Sequence, residues 1–529
     1  MENRFNLVDE PWIPVADHGR VSLRQLFTRP DYRSLGGNPV QKIALMKLLL
    51  AIAQAASTPR DETEWRALGA EGLAQRCMAY LQQWHDRFYL YGEKPFLQMP
   101  AVETLIEERT KTRLVASKTK AKIMAAKSSG HPKSMGAGFY PDLPSKNNTL
   151  LSHTLFEKEM SDADKALFVV TLMNFAFAGK RVEADMLSLG SVEMGNRYSA
   201  SAGPSLGGFI GQLHCFPIIS ALLGDLWVNL LTHENIRGLN RWPQGLGSPP
   251  WETMPRHETD LVALKHKESY QGSLVAMCRF VLLKDTGIYY LDGIKYPGVK
   301  DGWFEPSLAI NSSGTDMKVK YVDPEKRPWR ELQSLLSFVE KDASSGFECF
   351  ALKNGAERIR THCQEFAVWA GGLRVSSNSG DQSVKQRDDF VESLIWLHSD
   401  CLGELWYSQL NVEMKELNSL SENLKTKVKS YFKELTSWQK GHKESRLVKE
   451  MPEAATSLFW QLCERNFQEL VDACYQDEPS LLQRQQLRRR FAGYVQQAYE
   501  RYCPKDTARQ LDAWARYRPN NSQYLQKEA

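Results

Sequence analysis

The last third of the chain limits the possible folds most narrowly, because its apolar residues recur at helical spacing over a long stretch. No proline occurs between Pro328 and Pro452, and proline is the residue that most often interrupts a helix. Four apolar stripes follow a Ser/Asn/Gly-rich turn near residues 376–383. The stripes are Phe390, Leu394, Leu397, Cys401 and Leu405; Leu424, Val428, Phe432 and Leu435; Leu458, Leu462 and Phe467; and Leu487, Phe491, Tyr494 and Ala498. Four long helices with short connections predict an up-and-down bundle over residues 386–529.

The N-terminal 385 residues mix helical and strand patterns. Val40–Gln54 predicts a buried amphipathic helix, and Glu64–Leu90 predicts one or two more. Ser161–Ala178 begins with Ser-Asp-Ala-Asp, an arrangement typical of a capped helix start. Short apolar runs separated by turn residues predict strands within Leu274–Tyr321. The expected fold class is therefore α+β, with a large mixed α/β N-terminal domain (1–385) followed by a C-terminal four-helix bundle.

The overall charge confines any nucleic-acid contact to a local patch. The 529 residues include 67 Lys and Arg against 63 Asp and Glu, a formal net charge of +4. The nine cysteines are scattered without a Cys-x-x-Cys pair, which predicts reduced thiols and no structural metal. The opening residues lack a secretory signal pattern. The longest apolar run, Ile43–Ala56, contains Lys47 and is too short to cross a bilayer. We therefore expect a cytoplasmic protein with no membrane partner.

A basic segment interrupts the N-terminal domain. Between Arg109 and Pro141 the chain contains no Asp or Glu. Its basic residues are Arg109, Lys111, Arg113, Lys118, Lys120, Lys122, Lys127 and Lys133. A segment of this kind cannot form a core of its own, so it is either solvated or lies against an anion. Phosphate contact is the candidate role, because Lys and Arg displace condensed counterions; a solvated loop that binds nothing is the alternative.

Residues 201–208 form a second candidate binding segment, which is rich in glycine and serine. Glycine lets a backbone approach a groove closely, and its exposed amides favour anions. A plain connector between helices is the alternative.

The sequence carries no recognised catalytic motif. Gly190–Arg197 has the two glycines of a phosphate loop but lacks its Lys-Ser/Thr pair, and no Gly-x-Ser-x-Gly elbow occurs. The pairs His214-Cys215 and His362-Cys363 have no third ligand at metal-binding spacing. We expect no enzymatic activity and no cofactor. An enzyme acting on nucleic acid remains an alternative, since a convergent site can hide in any sequence.

Short motifs spread along the whole chain share the pattern of one known family. The most specific is Asn6–Val15 (NLVDEPWIPV), which is followed by Val21–Phe27 (VSLRQLF). The others are Arg87–Leu90, Pro95–Gln98, Asn147–His153, Pro250–Glu252, Glu305–Pro306, Pro328–Arg330 and Phe459–Trp460. Together they resemble the CasA family, the large subunit of the type I-E CRISPR surveillance complex Cascade.

The resemblance implies a DNA-binding subunit without catalytic activity that serves antiviral defence. It implies recognition of the protospacer-adjacent motif (PAM) of double-stranded target DNA, help in duplex opening and R-loop formation, and recruitment of the helicase-nuclease. The implied partners are the other Cascade subunits (backbone, small subunits and guide-end cap subunit), the CRISPR RNA, the target DNA and the helicase-nuclease. The alternative is a structural scaffold of a ribonucleoprotein without direct PAM readout.

Two recognition loops are implied by position. The first resembles the segment that reaches the base of the guide RNA and the PAM-proximal DNA, with Thr154–Phe156 as an alternative register. Its residues are Asn147, Asn148, Thr149, Leu150, Leu151, Ser152 and His153. The second resembles the glycine loop of the PAM minor groove, where readout is degenerate and small residues permit close approach. Its residues are Gly203, Pro204, Ser205, Leu206, Gly207 and Gly208.

A third element, which begins at Gly371–Arg374, resembles the family hairpin whose Gln tip wedges beneath the PAM. Gln382 is the predicted wedge and Asn378 the alternative, with Asp381 and Ser383 beside them. Insertion at a base step costs a few kcal/mol of unstacking. In this scheme the basic segment grips the phosphate backbone, while the glycine loop and the hairpin discriminate.

The chain departs from the family pattern in two ways. Some relatives carry two Cys-x-x-Cys pairs consistent with zinc, whereas this chain has none. The basic segment is also longer and richer in lysine than the family pattern, so the resemblance does not decide between DNA and RNA as its partner.

Overall fold

The structure, a computed structural model, consists of two compact units. The first comprises Met1–Trp329 and Ser344–Leu394, and the second comprises Arg330–Ala343 and Ile395–Ala529. The main division thus lies after Leu394 rather than after residue 385, and residues 330–343 belong with the C-terminal helices. The residues that the structure describes are 2–107, 132, 160–175, 189, 211–285, 287–311, 317–339, 347–374, 377–378, 381–382, 390–436 and 446–522.

Helices and short strands alternate in the first unit. Its helices are α1 (Leu23–Thr28), α2 (Pro39–Ala56), α3 (Glu62–Gln83), α4 (101–107), α5 (Asp162–Asn174), α6 (Leu222–Asn229), α7 (His233–Leu239), α8 (Leu261–Lys267), α9 (Tyr270–Leu274) and α11 (Phe350–His362). Its strands are β1 (Arg4–Asn6), β2 (Ile13–Val15), β3 (Gly19–Val21), β4 (Tyr89–Tyr91), β5 (His214–Ile218), β6 (Arg279–Lys284), β7 (Gly287–Asp292), β8 (Ala309–Asn311), β9 (Lys318–Val319), β10 (Glu348–Cys349), β11 (Glu365–Leu373), β12 (Ser377–Asn378) and β13 (Asp381–Gln382).

Helix α2 is the centre of the first unit. Asn38 caps it in a reciprocal capping box with Gln41, and Pro39 occupies its first turn, where the missing N–H of proline costs nothing. The helix is long and apolar enough to cross a membrane by length and composition, but 78% of it is buried inside the unit. Because it is apolar on nearly every side, it packs against α3, α5, α6, α9 and β11 at once.

A three-stranded sheet beside α2 has the order β14-β11-β5, with β14 at Phe390–His398. β11 and β5 are antiparallel, and their register runs from Ala367 opposite Ile218 to Gly371 opposite His214. The other pairings are β1 with β4, β2 with β3, β6 with β7, β8 with both β9 and β10, and β12 with β13. Since these other sheets are small, the helices contribute much of the core.

The pattern-based predictions for the first unit are confirmed at several places. Val40–Gln54 lies within α2, and the hairpin β6–β7 lies in the predicted strand region. Ser161 accepts from the N–H of Asp164 and the Asp164 carboxylate accepts from the N–H of Ser161, as a capping box requires. The helix that follows ends at Asn174, four residues short of the prediction.

The second unit is helical, as predicted. Its helices are α10 (Leu332–Leu335), α12 (Glu404–Thr436), α13 (Arg446–Glu464), α14 (Phe467–Asp472), α15 (Glu478–Tyr502) and α16 (Ala508–Tyr517). α12 packs against α13, α15 and α16, and α13 packs against α15. The predicted stripe of α12 is buried at Leu424 and Val428, and that of α15 at Leu487 and Phe491. The α+β fold with a C-terminal helical bundle is therefore confirmed.

One of the predicted stripes is wrong, and another is only partly buried. The first, from Phe390 to Leu405, is not a helix, because Phe390–His398 forms strand β14 and α12 begins only at Glu404. Burial in β14 follows a strand period at its end, where Ile395 and Leu397 are buried while Leu394 and Trp396 are exposed. Two β-branched residues and a neighbouring strand favour this outcome over the helical spacing.

In α13 the buried face is rotated from the predicted one. Leu458 and Leu462 are only half-buried, whereas Ala455, Phe459 and Cys463 are fully buried. Both faces have helical spacing in the sequence, so packing against α12 and α15 selects between them.

A buried carboxylate connects α12 to α15. Glu413 is 1% exposed, and Arg488 donates to both of its oxygens, Nε to Oε2 at 2.8 Å and Nη2 to Oε1 at 2.7 Å. The guanidinium of Arg484, which is also buried, lies 3.6 Å from the same carboxylate and donates to the carbonyls of Ala473 and Tyr475. This bidentate pair fixes the register of the two longest helices of the bundle.

Replacing Glu413 by Ala should lower the free energy of unfolding by about 3–5 kcal/mol, because it leaves buried positive charge without its partner. Urea denaturation of the full chain, followed by helical circular dichroism, measures this. Glu450→Ala is the control, since Glu450 pairs with Arg446 on the exposed surface of α13 and its loss should hardly matter. Equal shifts for the two variants would contradict the prediction.

Candidate nucleic-acid interface

Most of the predicted recognition residues lie outside the residues that the structure describes. These are the guide-proximal loop from Asn147 to His153, the glycine loop from Gly203 to Gly208, and Ser383. The eight basic residues from Arg109 to Lys133 also lie outside. Their roles stay predictions. The structure does describe residues that flank these segments in the chain, and these are described below.

The predicted wedge residues lie on a hairpin whose backbone pairing is described. β12 and β13 are antiparallel, with Ser377 opposite Gln382 and Asn378 opposite Asp381. Two residues therefore connect the innermost pair, which is the shortest common hairpin connection. Gln382 belongs to the outer pair, so Asn378 and Asp381 lie nearer the turn than the predicted wedge does.

Along the chain, the hairpin lies between β11 and β14, which are adjacent strands of the three-stranded sheet beside α2. β11 ends at Leu373 before β12 begins at Ser377, and β14 begins at Phe390 after β13 ends at Gln382. Since β11 lies between β14 and β5 in the sheet, the strand entering the hairpin also borders the strand that follows the glycine loop. The sheet thus brings the ends of two predicted recognition elements together.

Glycines make this approach possible. A Cβ on Gly211, the first described residue after the glycine loop, would lie 1.7 Å from the carbonyl oxygen of Leu373. A Cβ on Gly372 would lie 2.8 Å from the carbonyl oxygen of Gln212. At Gly372 the side chain of Val322 would also obstruct a Cβ, at 2.7 Å. The carbonyl oxygens at both positions are backbone atoms, so no side-chain movement alone could make room, and only glycine permits this close approach.

A buried polar network holds both ends of the segment that contains the glycine loop (176–210). Lys47 of α2 donates to Asn174 Oδ1 at 3.1 Å and to Glu305 Oε2 at 2.8 Å. Asn174 is the last residue of α5 and is separated from the segment only by Phe175. Nδ1 of His214, the first residue of β5, lies 3.0 Å from Ser307 Oγ and 3.7 Å from Glu305 Oε2. Lys47 and Glu305 thereby connect the two ends.

The network is deeply buried, which makes its charges costly to separate. The side chains of Lys47, Glu305 and His214 are 3%, 1% and 0% exposed. Burial lowers the pKa of Lys47, and the Glu305 carboxylate acts in the opposite direction. Trp303 Nε1 donates to the second oxygen of Glu305 at 3.1 Å, so both oxygens of this carboxylate have donors.

Sequence reasoning missed this network. Lys47 is visible only as an interruption of an apolar run, and Glu305 only as part of the Glu305–Pro306 motif. A lysine within an otherwise apolar helix is itself a signal, because a buried ammonium requires a charged or polar partner. What the pattern cannot supply is the partner, which lies 258 residues away.

The first His-Cys pair is buried, whereas in the second His362 is exposed and Cys363 is half-buried. His214 belongs to the network and Cys215 is a buried free thiol, while His362 contacts the stacked rings of Trp65 and Trp227. Among the described residues, no group of three or more His, Cys, Asp or Glu side chains is arranged to hold a metal ion.

Comparison with known proteins decides the family. Residues 6–501 match the family of CRISPR-associated protein Cse1. The chain belongs to the Cse1 family. This confirms the resemblance to CasA that rests on Asn6–Val15 and the later motifs, since a curated CasA/Cse1 protein of Thermus thermophilus is 26% identical over 486 residues, 86% of this chain and 83% of that protein.

Solved Cse1 structures share the fold over almost the whole chain. CasA of Thermus thermophilus superposes with a TM-score of 0.67 at 20% identity, covering 99% of both chains. Thermobifida fusca Cse1 gives 0.68 at 17% identity, covering 99% of this chain and 98% of that one. A chain described as part of a CRISPR RNA-guided surveillance complex gives 0.64 at 14% identity, covering 99% of both.

Replacing Lys47 by Met should lower the free energy of unfolding by about 3–5 kcal/mol, because Glu305 then remains buried without its cation. The double variant Lys47→Met/Glu305→Gln should recover part of that loss. Urea denaturation of the single and double variants gives the coupling free energy, which we expect to be about 0.5–3 kcal/mol. Strictly additive losses would show that the two side chains do not support each other.

Proposed function

We propose that this protein is the non-catalytic large subunit of a type I-E Cascade complex in the cytoplasm. In this role it recognises the PAM of double-stranded DNA, helps to open the duplex for R-loop formation and recruits the helicase-nuclease. The observation that carries the proposal is the Cse1 family match over residues 6–501. Similarity of fold to a chain of an RNA-guided surveillance complex supports it. Its partners are the other Cascade subunits, the CRISPR RNA and the target DNA.

The glycine loop, from Gly203 to Gly208, is proposed to enter the PAM minor groove. The minor groove is narrow and its donor and acceptor pattern is degenerate, so recognition there depends on close approach and groove shape. Such a loop needs ends that do not move when DNA arrives. The buried Lys47–Glu305 network at Asn174 and His214, and the close backbone approach at Gly211, meet that need.

The hairpin at β12 and β13 is proposed to part the first base pair beyond the PAM. A two-residue connection makes the hairpin narrow, and the strands that precede and follow it in the chain, β11 and β14, are paired in one sheet. An element that unstacks a base step must bear a cost of a few kcal/mol without bending away. Gln382 is the proposed wedge; the register, which places Asn378 nearer the turn, makes Asn378 the second residue to test.

The remaining predicted residues are proposed to hold nucleic acid without reading its sequence. Asn147 to His153 would contact the base of the guide RNA and the PAM-proximal DNA. The basic residues from Arg109 to Lys133 would contact phosphates, which positions a duplex but does not discriminate among sequences. Base pairing with the guide RNA then reads the target.

A PAM-library binding assay with the assembled complex tests the discriminating elements. Gly207→Asp should weaken binding to preferred PAMs by about tenfold or more, because a carboxylate would enter the electronegative minor groove.

Gln382→Ala should leave initial duplex binding in place but slow R-loop opening, measured by 2-aminopurine fluorescence next to the PAM. The opening rate of Asn378→Ala is measured in parallel.

The control for the glycine loop is Gly238→Asp, since a Cβ at Gly238 in α7 would meet nothing within 4 Å. Unchanged PAM preference and opening rate in both Gly207→Asp and the hairpin variants would favour the scaffold function instead. Cleavage of DNA by the chain alone, abolished by replacing one acidic residue, would contradict a non-catalytic role.

Replacing Lys118, Lys120 and Lys122 by Ala should weaken binding to all duplex sequences alike. Each lost phosphate contact should reduce the slope of log K against log salt concentration by about 0.9. Fluorescence anisotropy of the assembled complex across a salt series measures the slope. An unchanged slope would identify the basic segment as a solvated loop, and a change confined to certain PAMs would assign it a role in discrimination.

A further inference from the structure

The first unit contains a pocket of about 130 Å³ that none of the proposed functions uses. It lies among α2, α6 and the sheet β14-β11-β5. Its walls are mostly apolar and are formed by Leu35, Met46, Phe216, Ile218, Leu222 and Trp369. Leu394, which is 45% exposed, also lines it. A cavity of this size accommodates one small group of about five or six heavy atoms.

Asp225 gives this apolar pocket a buried carboxyl group. The residue lines the pocket and is 1% exposed. One carboxyl oxygen, Oδ1, accepts a hydrogen bond from the backbone N–H of Ile219 at 2.7 Å. Among the described residues, no donor reaches the other oxygen. Burial raises the pKa of Asp225 well above its usual value, which is the response expected of a carboxyl group without a cationic partner.

The charged residues that line the same pocket neutralise each other. Lys42 of α2 donates to Oε1 of Glu392 on β14 at 2.6 Å, and Trp369 Nε1 donates to the same oxygen at 2.6 Å. Both members of this ion pair are partly exposed, at 24% and 31%. The pocket is therefore neutral while Asp225 is protonated and carries one negative charge when Asp225 ionises.

We propose that this pocket binds the side chain of a lysine from another polypeptide. The four-carbon stem would lie along the apolar walls, as lysine stems do on apolar surfaces, and the ammonium would reach the open oxygen of Asp225. Phe216 and Trp369, whose ring centroids lie 5.9 Å apart in the pocket wall, are aromatic residues of the kind that attracts a cation. The Lys42–Glu392 pair would face the backbone of the bound segment.

Other ligands satisfy only part of this arrangement. A phosphate would bring negative charge to a pocket that is already negative when Asp225 is ionised. A nucleobase or another neutral ring would fill the apolar walls but would not compensate an ionised Asp225. An alkylammonium group matches the volume, the apolar lining and the buried carboxyl together. This inference is independent of the proposed function.

The proposal predicts a pH dependence with a definite sign. Without ligand the raised pKa keeps Asp225 protonated to a higher pH than usual, and a bound ammonium favours its ionised form. Binding should therefore release a proton, and affinity should rise as the pH is raised through the pKa of free Asp225. Lys42 and Glu392 are the charged groups that face this pocket beside Asp225.

Isothermal titration calorimetry of the full chain with n-butylammonium chloride tests the site. We expect saturable binding, a release of up to one proton found by comparing buffers of different ionisation enthalpy, and affinity at least about tenfold lower in Asp225→Asn, which loses the charge. The control is Asp285→Asn, whose side chain is 91% exposed; it should bind like the parent. No binding, or equal binding by Asp225→Asn, would overturn the proposal.

Further titrations distinguish a lysine side chain from a free amine as the ligand, and a second variant controls for misfolding. The peptide acetyl-Gly-Lys-Gly-amide should bind at least as well as n-butylammonium, whereas tighter binding of 1,4-diaminobutane with no peptide binding would overturn a lysine partner. 1-Butanol should bind more weakly, and equal binding of this alcohol would overturn the role of charge. Ile218→Phe should block the pocket while Asp225 and the circular dichroism spectrum stay unchanged; full binding by this variant would place the ligand elsewhere.

Discussion

The pairing of Lys47 with Glu305 is the interaction on which the first unit depends. An ammonium taken out of water costs several kcal/mol, and only a complete set of partners offsets that cost. Those partners come from α5, from the segment before β8 and, through the Glu305 carboxylate, from β5. Helix α2 can therefore be buried in the core only when these elements are also in place. This requirement couples α2 to both ends of the segment 176–210.

The close backbone approach next to this network explains why glycines cluster where the candidate loops begin and end. A Cβ on Gly211 or Gly372 would come closer to the carbonyl oxygen of Leu373 or Gln212 than a side chain tolerates. Strands β5 and β11 therefore come together where one loop ends and the hairpin begins. In the proposed function, two elements that must act on adjacent parts of one DNA duplex share a rigid base, which suits the positioning of short loops.

Much of the fold could be predicted from local pattern. Signals that extend over only a few helical turns of sequence, namely apolar spacing and capping residues, predict three of its features. These are the capped helix at Ser161, the apolar helix around Lys47 and the buried stripe of α12. The failures occur where two periodicities coexist. Phe390–His398 has apolar residues at helical spacing, yet a neighbouring strand makes it β14, and α13 has two plausible apolar faces from which its neighbours select one.

The sequence by itself determined the family, through the motif at Asn6–Val15 and those after it, and also the fold class and the placing of helices such as α2, α5, α12 and α15. The tertiary structure alone decided the partner of Lys47, the strand at 390–398, the position of Asn378 relative to Gln382 and the opening of Asp225 to a pocket. The physical reason is separation along the chain: periodicity and caps act over a few residues, whereas Lys47 and Glu305 meet across 258 residues. Contacts of that range exist only once the chain has folded.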